Sequence, residues 1–146
     1  MKKRVVIVVG VLVLLIVILA LIICFKPREI KNLNLAENIT MEIKDGSLTN
    51  TSATVIITDL SGDESVDLTN KEFKIDYKKS GKWYRLESKI KNEVTVRTSD
   101  NTMENGDNAY TQEINWEKYY GKLDKGHYRI VKEVKADLYI VAEFDI

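Results

Sequence analysis

Leu123-Asp124-Lys125-Gly126-His127-Tyr128-Arg129-Ile130 reads as a sharp reversal of the chain that runs at once into a strand. Gly126 supplies the turn, and Asp124 and Lys125 keep it polar. Ile130 follows two positions after Tyr128, on the same face. The strand continues to Val134 and turns near Lys135-Ala136-Asp137. It returns over Leu138 to Ile146, where Leu138, Ile140, Ala142, Phe144 and Ile146 alternate with Tyr139, Val141, Glu143 and Asp145. A fixed corner followed by two neighbouring strands implies antiparallel β-structure at this end of the chain.

The same two-residue period recurs upstream. Ile39, Met41 and Ile43 face one way and Thr40, Glu42 and Lys44 the other, until Asp45-Gly46 ends the run. In Thr51 to Thr58, Ala53, Val55 and Ile57 share one face and Thr54, Ile56 and Thr58 the opposite one, and Ser61-Gly62-Asp63-Glu64 is a loop. Phe73 to Tyr77 and Trp83 to Leu86 flank Ser80-Gly81, which reads as a hairpin with a tight turn. That register sets Tyr77 against Tyr84, Ile75 against Leu86, Asp76 against Arg85 and Lys78 against Trp83. Phe73, Ile75, Tyr77, Tyr84 and Leu86 then face inward. Trp83 falls on the outer, polar face, where it either lies along the aliphatic stem of Lys78 or serves as a binding anchor.

Val94 to Arg97 is a short strand, and Ser99 to Asn108 is a polar loop containing Asn105-Gly106. The acids and amides of this loop invite comparison with a calcium-binding loop. Met103 then occupies a ligand position and Gln112 stands where the bidentate Glu belongs, so no metal site is expected. Ile114 and Trp116 continue a strand. Trp116, Tyr119, Tyr120 and Leu123 then recur at helical spacing, an aromatic stripe that reads as core packing.

Composition divides the chain in two. The 21 positions from Val5 to Phe25 carry no charge and, apart from Gly10, are all apolar. As a helix they extend roughly 31 Å, close to the thickness of a bilayer core. Lys2, Lys3 and Arg4 precede them, and the remainder of the chain carries 19 bases against 22 acids. The expected organisation is a cytoplasmic tail over 1–4, a transmembrane anchor over 5–25, a linker over 26–37 and an extracellular β-domain over 38–146. Bases flank both ends of the anchor, so the orientation rests on the ease of keeping a short basic tail inside. Two other fates of the segment stand beside it. A cleaved signal would have a shorter apolar region, and lipid attachment at Cys24 would call for a small residue where Ile23 stands. A mildly acidic domain is not a nucleic-acid binder, and with no cysteine after Cys24 its fold rests on its core.

About seven short strands with regular turns and no sustained helix after the anchor give an all-β sandwich. The stretch around Gly126 and Tyr128 resembles the tyrosine corner of immunoglobulin-like domains, with Ile130 where antibody domains place a cysteine. Residues from about 39 to 146 resemble the bacterial Ig-like domains of membrane-tethered and secreted proteins from low-GC Gram-positive bacteria. The resemblance is carried by the stretch from Leu48 to Ile57, by Glu72-Phe73-Lys74-Ile75-Asp76 leading into Gly81-Lys82-Trp83, by Trp116, by Tyr120-Gly121-Lys122-Leu123 running into Gly126 to Glu133, and by Glu143-Phe144-Asp145-Ile146. It implies an immunoglobulin-like fold in a cell-envelope setting and supplies no catalytic residues. Asp124-Lys125 stand where the family often has prolines.

His127 is the sole histidine and Cys24 the sole cysteine. No nucleophile–base pair, metal cluster or cofactor motif has support, and the protein is expected not to be an enzyme and to carry no cofactor. The expected function is a binding or spacer module at the bacterial cell envelope, held in the lipid bilayer by residues 5–25. Contact with an envelope protein or cell-wall ligand would use sheet edges or loop tips such as 61–70 and 99–109, with Trp83 as the candidate anchor, and Tyr128, Trp116 and Gly126 are structural. The alternative is a regulator, inhibitor or escort of another envelope protein, acting partly through its membrane helix.

Overall fold

The computed structural model describes residues 2–24, 27–90, 101–103 and 108–146, with side chains over 8–23, 27–90 and 108–146. A helix α1 (Lys2–Cys24) leads into strands β1 (Glu29–Ile30), β2 (Ile39–Ile43), β3 (Ser52–Asp59), β4 (Lys74–Lys79), β5 (Lys82–Arg85), β6 (Asn101–Met103) and β7 (Ala109–Asn115). A short helix α2 (Glu117–Tyr120) and strands β8 (His127–Lys135) and β9 (Leu138–Asp145) complete the chain. Among the described residues the strands form two antiparallel sheets, ordered β1-β5-β4-β8-β9 and β2-β3-β7-β6. The chain changes sheet between β1 and β2, between β3 and β4, between β5 and β6, and between β7 and β8, so each sheet lays one face on the other. Val55, Ile57, Ile75, Ile114, Trp116 and Ile130 are all 0% exposed between them.

The hairpin has the expected register, with Asp76, Tyr77 and Lys78 opposite Arg85, Tyr84 and Trp83. Its turn holds Ser80 at φ 51° and Gly81 at φ 77°, the pair of positive angles that matches the twist of the two strands. Two expectations are corrected. The polar segment Ser99–Asn108 was expected as loop, but Asn101–Met103 form an edge strand, with Thr102 opposite Thr111. Its ladder comes from the backbone of β7 and needs no apolar face. Trp116 does not extend a strand, because β7 ends at Asn115 and Trp116 caps α2. Val94–Arg97, Asn105 and Gly106 lie outside the described residues.

The largest departure concerns the expected linker, 26–37. Glu29 and Ile30 pair with Tyr84 and Trp83 at one edge of the five-stranded sheet. At the other edge the Ala36 N–H donates to the Tyr139 carbonyl at 2.9 Å, and the Tyr139 N–H donates to that of Asn34 at 2.9 Å. Residues 31–33 therefore cross the outer face as a strap. Backbone pairing, which any side chain allows, drives this, so charged and amide residues did not announce it. Tyr128 to Lys132 of β8 are all buried, since this strand lies between β4 and β9 and is covered on both faces.

α1 is 23 residues long, and every described side chain in it, 8–23, is exposed. Among the described residues no helix is long and apolar enough to cross a membrane.

Candidate functional site

The corner is built as its sequence suggests. The Tyr128 hydroxyl donates to the Asp124 carbonyl at 3.0 Å, and Gly126 exchanges backbone hydrogen bonds with Ile146 at 3.2 and 3.0 Å. A Cβ on Gly126 would lie 3.1 Å from the Tyr128 ring, a tight contact that the ring would have to relieve by shifting a few tenths of an ångström. Tyr128 stacks on Phe144 at 5.7 Å and Phe144 on Trp116 at 5.5 Å. The Trp116 indole N–H donates to the Asn50 carbonyl at 3.0 Å. Ile130, 0% exposed, fills the place of the missing cysteine by packing. Gly126, Tyr128 and Trp116 thus hold β8 and β9 in place and present the outer face of the five-stranded sheet.

On that face the register lines up two rows. Asp76 lies opposite Arg85 on one side and Arg129 on the other, and Arg129 lies opposite Glu143, so the charges alternate across β5, β4, β8 and β9. In the next row Trp83 lies opposite Lys78 and His127 opposite Asp145. Asp76 is 0% exposed; its Oδ1 takes the Arg85 Nε–H at 2.5 Å and its Oδ2 the Arg129 Nε–H at 2.9 Å.

Trp83 closes the group from above. Its ring centre is 4.4 Å from the Arg129 guanidinium carbon and 5.1 Å from Lys78 Nζ, and the His127 ring lies 5.4 Å away. Trp83 is half-buried and lies over Lys78 as well as Arg129. His127 shares its ring nitrogens between Asp145 at 2.8 Å and Glu143 at 2.9 Å. These contacts, Glu143 foremost, raise its pKa above the ordinary imidazole value. Among the described residues no group of three or more His, Cys, Asp and Glu is arranged to hold a metal.

The sequence places Trp83 beside Lys78 and Asp76 opposite Arg85, but not the contact of Arg129 with both Trp83 and Asp76. The available signal was a lone acid in mid-strand whose neighbours on both sides are arginines. The loop 61–70 is also more ordered than a polar tip. Asp59, Asp63 and Asp67 each accept, through Oδ1, the N–H and hydroxyl of Ser61, Ser65 and Thr69. The repeated Asp-x-Ser/Thr spacing was the sign of it. Hydrogen bonds from Ser65, then from Lys135, hold the Asp63 carboxyl well below the usual carboxylate range. Most of the loop 99–109 lies outside the described residues.

Two sheets ordered in this way, joined through a tyrosine corner, define an immunoglobulin-like sandwich. The bacterial Ig-like domain family matches residues 35–145, and the chain belongs to that family. No curated protein matches the sequence. Among solved structures, the chain is similar to Tp47, the 47-kilodalton lipoprotein of Treponema pallidum, at 14% identity and a TM-score of 0.36. That match covers 77% of this chain and 30% of the lipoprotein, so the chain spans about a third of its length.

Proposed function

We infer that the protein is a non-catalytic binding module of the bacterial cell envelope, tethered in the membrane by residues 5–25 with residues from about 30 onward outside the cell. The observation that carries the binding reading is the outer face of the five-stranded sheet, where Trp83 stays half-exposed over a fixed set of cations. A rigid, partly accessible indole on a pre-ordered surface is the kind of residue that dominates recognition. The tether is supported by the uncharged run from Val5 to Phe25 and by exposed side chains over 8–23, an apolar surface that water does not accommodate. The family match and the abundance of 17 lysines and 10 asparagines fit an origin in a low-GC Gram-positive bacterium.

The test is capture from an envelope extract by the wild-type domain and by Trp83→Ala. Loss of the captured component in the variant is expected; an unchanged set refutes the anchor. Protease added to intact cells should degrade the C-terminal domain, and its survival would overturn the orientation. Replacing Val5–Phe25 by an unrelated anchor should spare binding. Gly10 and Ala20 are the only small residues in the run, which gives it no small-residue packing face for specific contacts.

A further inference from the structure

We propose that the cavity beneath the strap binds a phosphate group. The cavity, about 380 Å³, is bounded by β1, by residues 31–33 and by the outer face of the five-stranded sheet, where Lys74, Arg85 and Tyr139 line it. Arg28 and Lys31 add two more cations, and Glu29 is the only acid in the wall. The Glu29 carboxylate is occupied by Lys82 at 3.2 Å. Among the described residues Arg28, Lys31 and Lys74 have no carboxylate partner, and Arg85 shares the single charge of Asp76 with Arg129. Positive charge therefore converges on the cavity with only partial internal compensation.

Asn32 and Leu33 belong to the same wall, and their N–H groups bond to no other described residue. A carboxylate would neutralise one cation and leave the rest. A phosphate monoester, with a charge of about −1.5 to −2 and three strong acceptor oxygens, matches several at once. Arginine and lysine together suit it, the one as a planar fork and the other as a point charge. Such a phosphate arrives either free in solution or on a lipid headgroup, and the cavity meets the same chemistry in both.

The test follows the acetylation rate of individual lysines by mass spectrometry in the full-length chain. In the first arm the chain is in neutral detergent micelles, with inorganic phosphate compared against sodium chloride at equal ionic strength. In the second it is reconstituted in phosphatidylcholine vesicles with or without phosphatidic acid. Lys31 and Lys74 should be slowed several-fold by phosphate, while the exposed Lys79 and Lys125 keep their rates. Protection in the first arm alone assigns a free phosphate, and protection in the vesicle arm assigns the lipid headgroup; either supports the site. Lys74→Glu lies on an exposed position and should abolish the protection of Lys31. Equal slowing of all four lysines, no protection in either arm, or protection of Lys31 that survives Lys74→Glu would each overturn the proposal.

Discussion

Replacing Asp76 by Asn leaves the shape of the outer face intact and removes the charge on which two arginines converge. An amide oxygen can accept one Nε–H, but the NH2 group then faces the other guanidinium, donor against donor. The two arginines do not suffer equally. The Arg85 side chain is 20% exposed and can turn toward water, whereas that of Arg129 is 8% exposed, lies under Trp83, and already has a buried Nη2 without an acceptor. Removing one partner of a buried ion pair costs roughly 3–5 kcal/mol, and with Arg85 relieved by solvent the expectation is the lower end, about 3 kcal/mol. For a domain of this size that corresponds to a fall in Tm of about 10–20 °C. Urea denaturation of residues 27–146, followed by indole fluorescence, measures it. Asp76→Leu combined with Arg129→Met should regain most of the loss, because no charge is then left buried alone. A loss below about 1 kcal/mol for Asp76→Asn, or a double variant as weak as the single one, would refute the reasoning.

Tyr128→Phe deletes the hydroxyl that bonds to the Asp124 carbonyl and should cost about 1 kcal/mol in thermal melts, with the stacking on Phe144 unchanged. Ser80→Asn places a residue tolerant of positive φ at 51° in the hairpin turn and should raise stability by about 0.5 kcal/mol, checked by denaturant midpoint. Lys132, 1% exposed, donates to the carbonyls of Asn70 and Glu72, and burial lowers its pKa from 10.5 to about 8. Between those values the unfolded chain holds a proton that the folded one has released, so stability should rise as pH increases through that window. Lys132→Met should flatten this slope in denaturation series across alkaline pH.

The hairpin was legible because it rests on local chemistry, and the corner because its residues resemble a known motif. Ser80-Gly81 between alternating strands fixes a register, and Gly126 followed by Tyr128 fixes a reversal. The core faces of β2, β3 and β9 followed from alternation. What escaped were features that depend on distant backbone. β1 and the bonds around Tyr139 join segments far apart in the chain through main-chain groups, which leave no side-chain pattern. Lys132 falls on the inner face by strict alternation with Ile130 and Val134, yet a lysine there gives no hint that two loop carbonyls await it. The site showed the same division: Trp83 could be placed from its own strand, and its contact with Arg129 required the order of three strands.

The strap also sets how the domain would respond to tension. With Glu29 paired to the edge of β5, at most about 17 Å of chain separates it from Cys24, so the sandwich follows the end of the helix on a short leash. A pull along the chain would first load the two-residue β1, which opens one pair at a time, and then the bonds at Tyr139. Once both have parted, the leash reaching to Ile39 lengthens to about 50 Å while the two main sheets remain closed. The same few backbone bonds that roof the cavity would then act as a mechanical fuse, releasing reach before the core bears load.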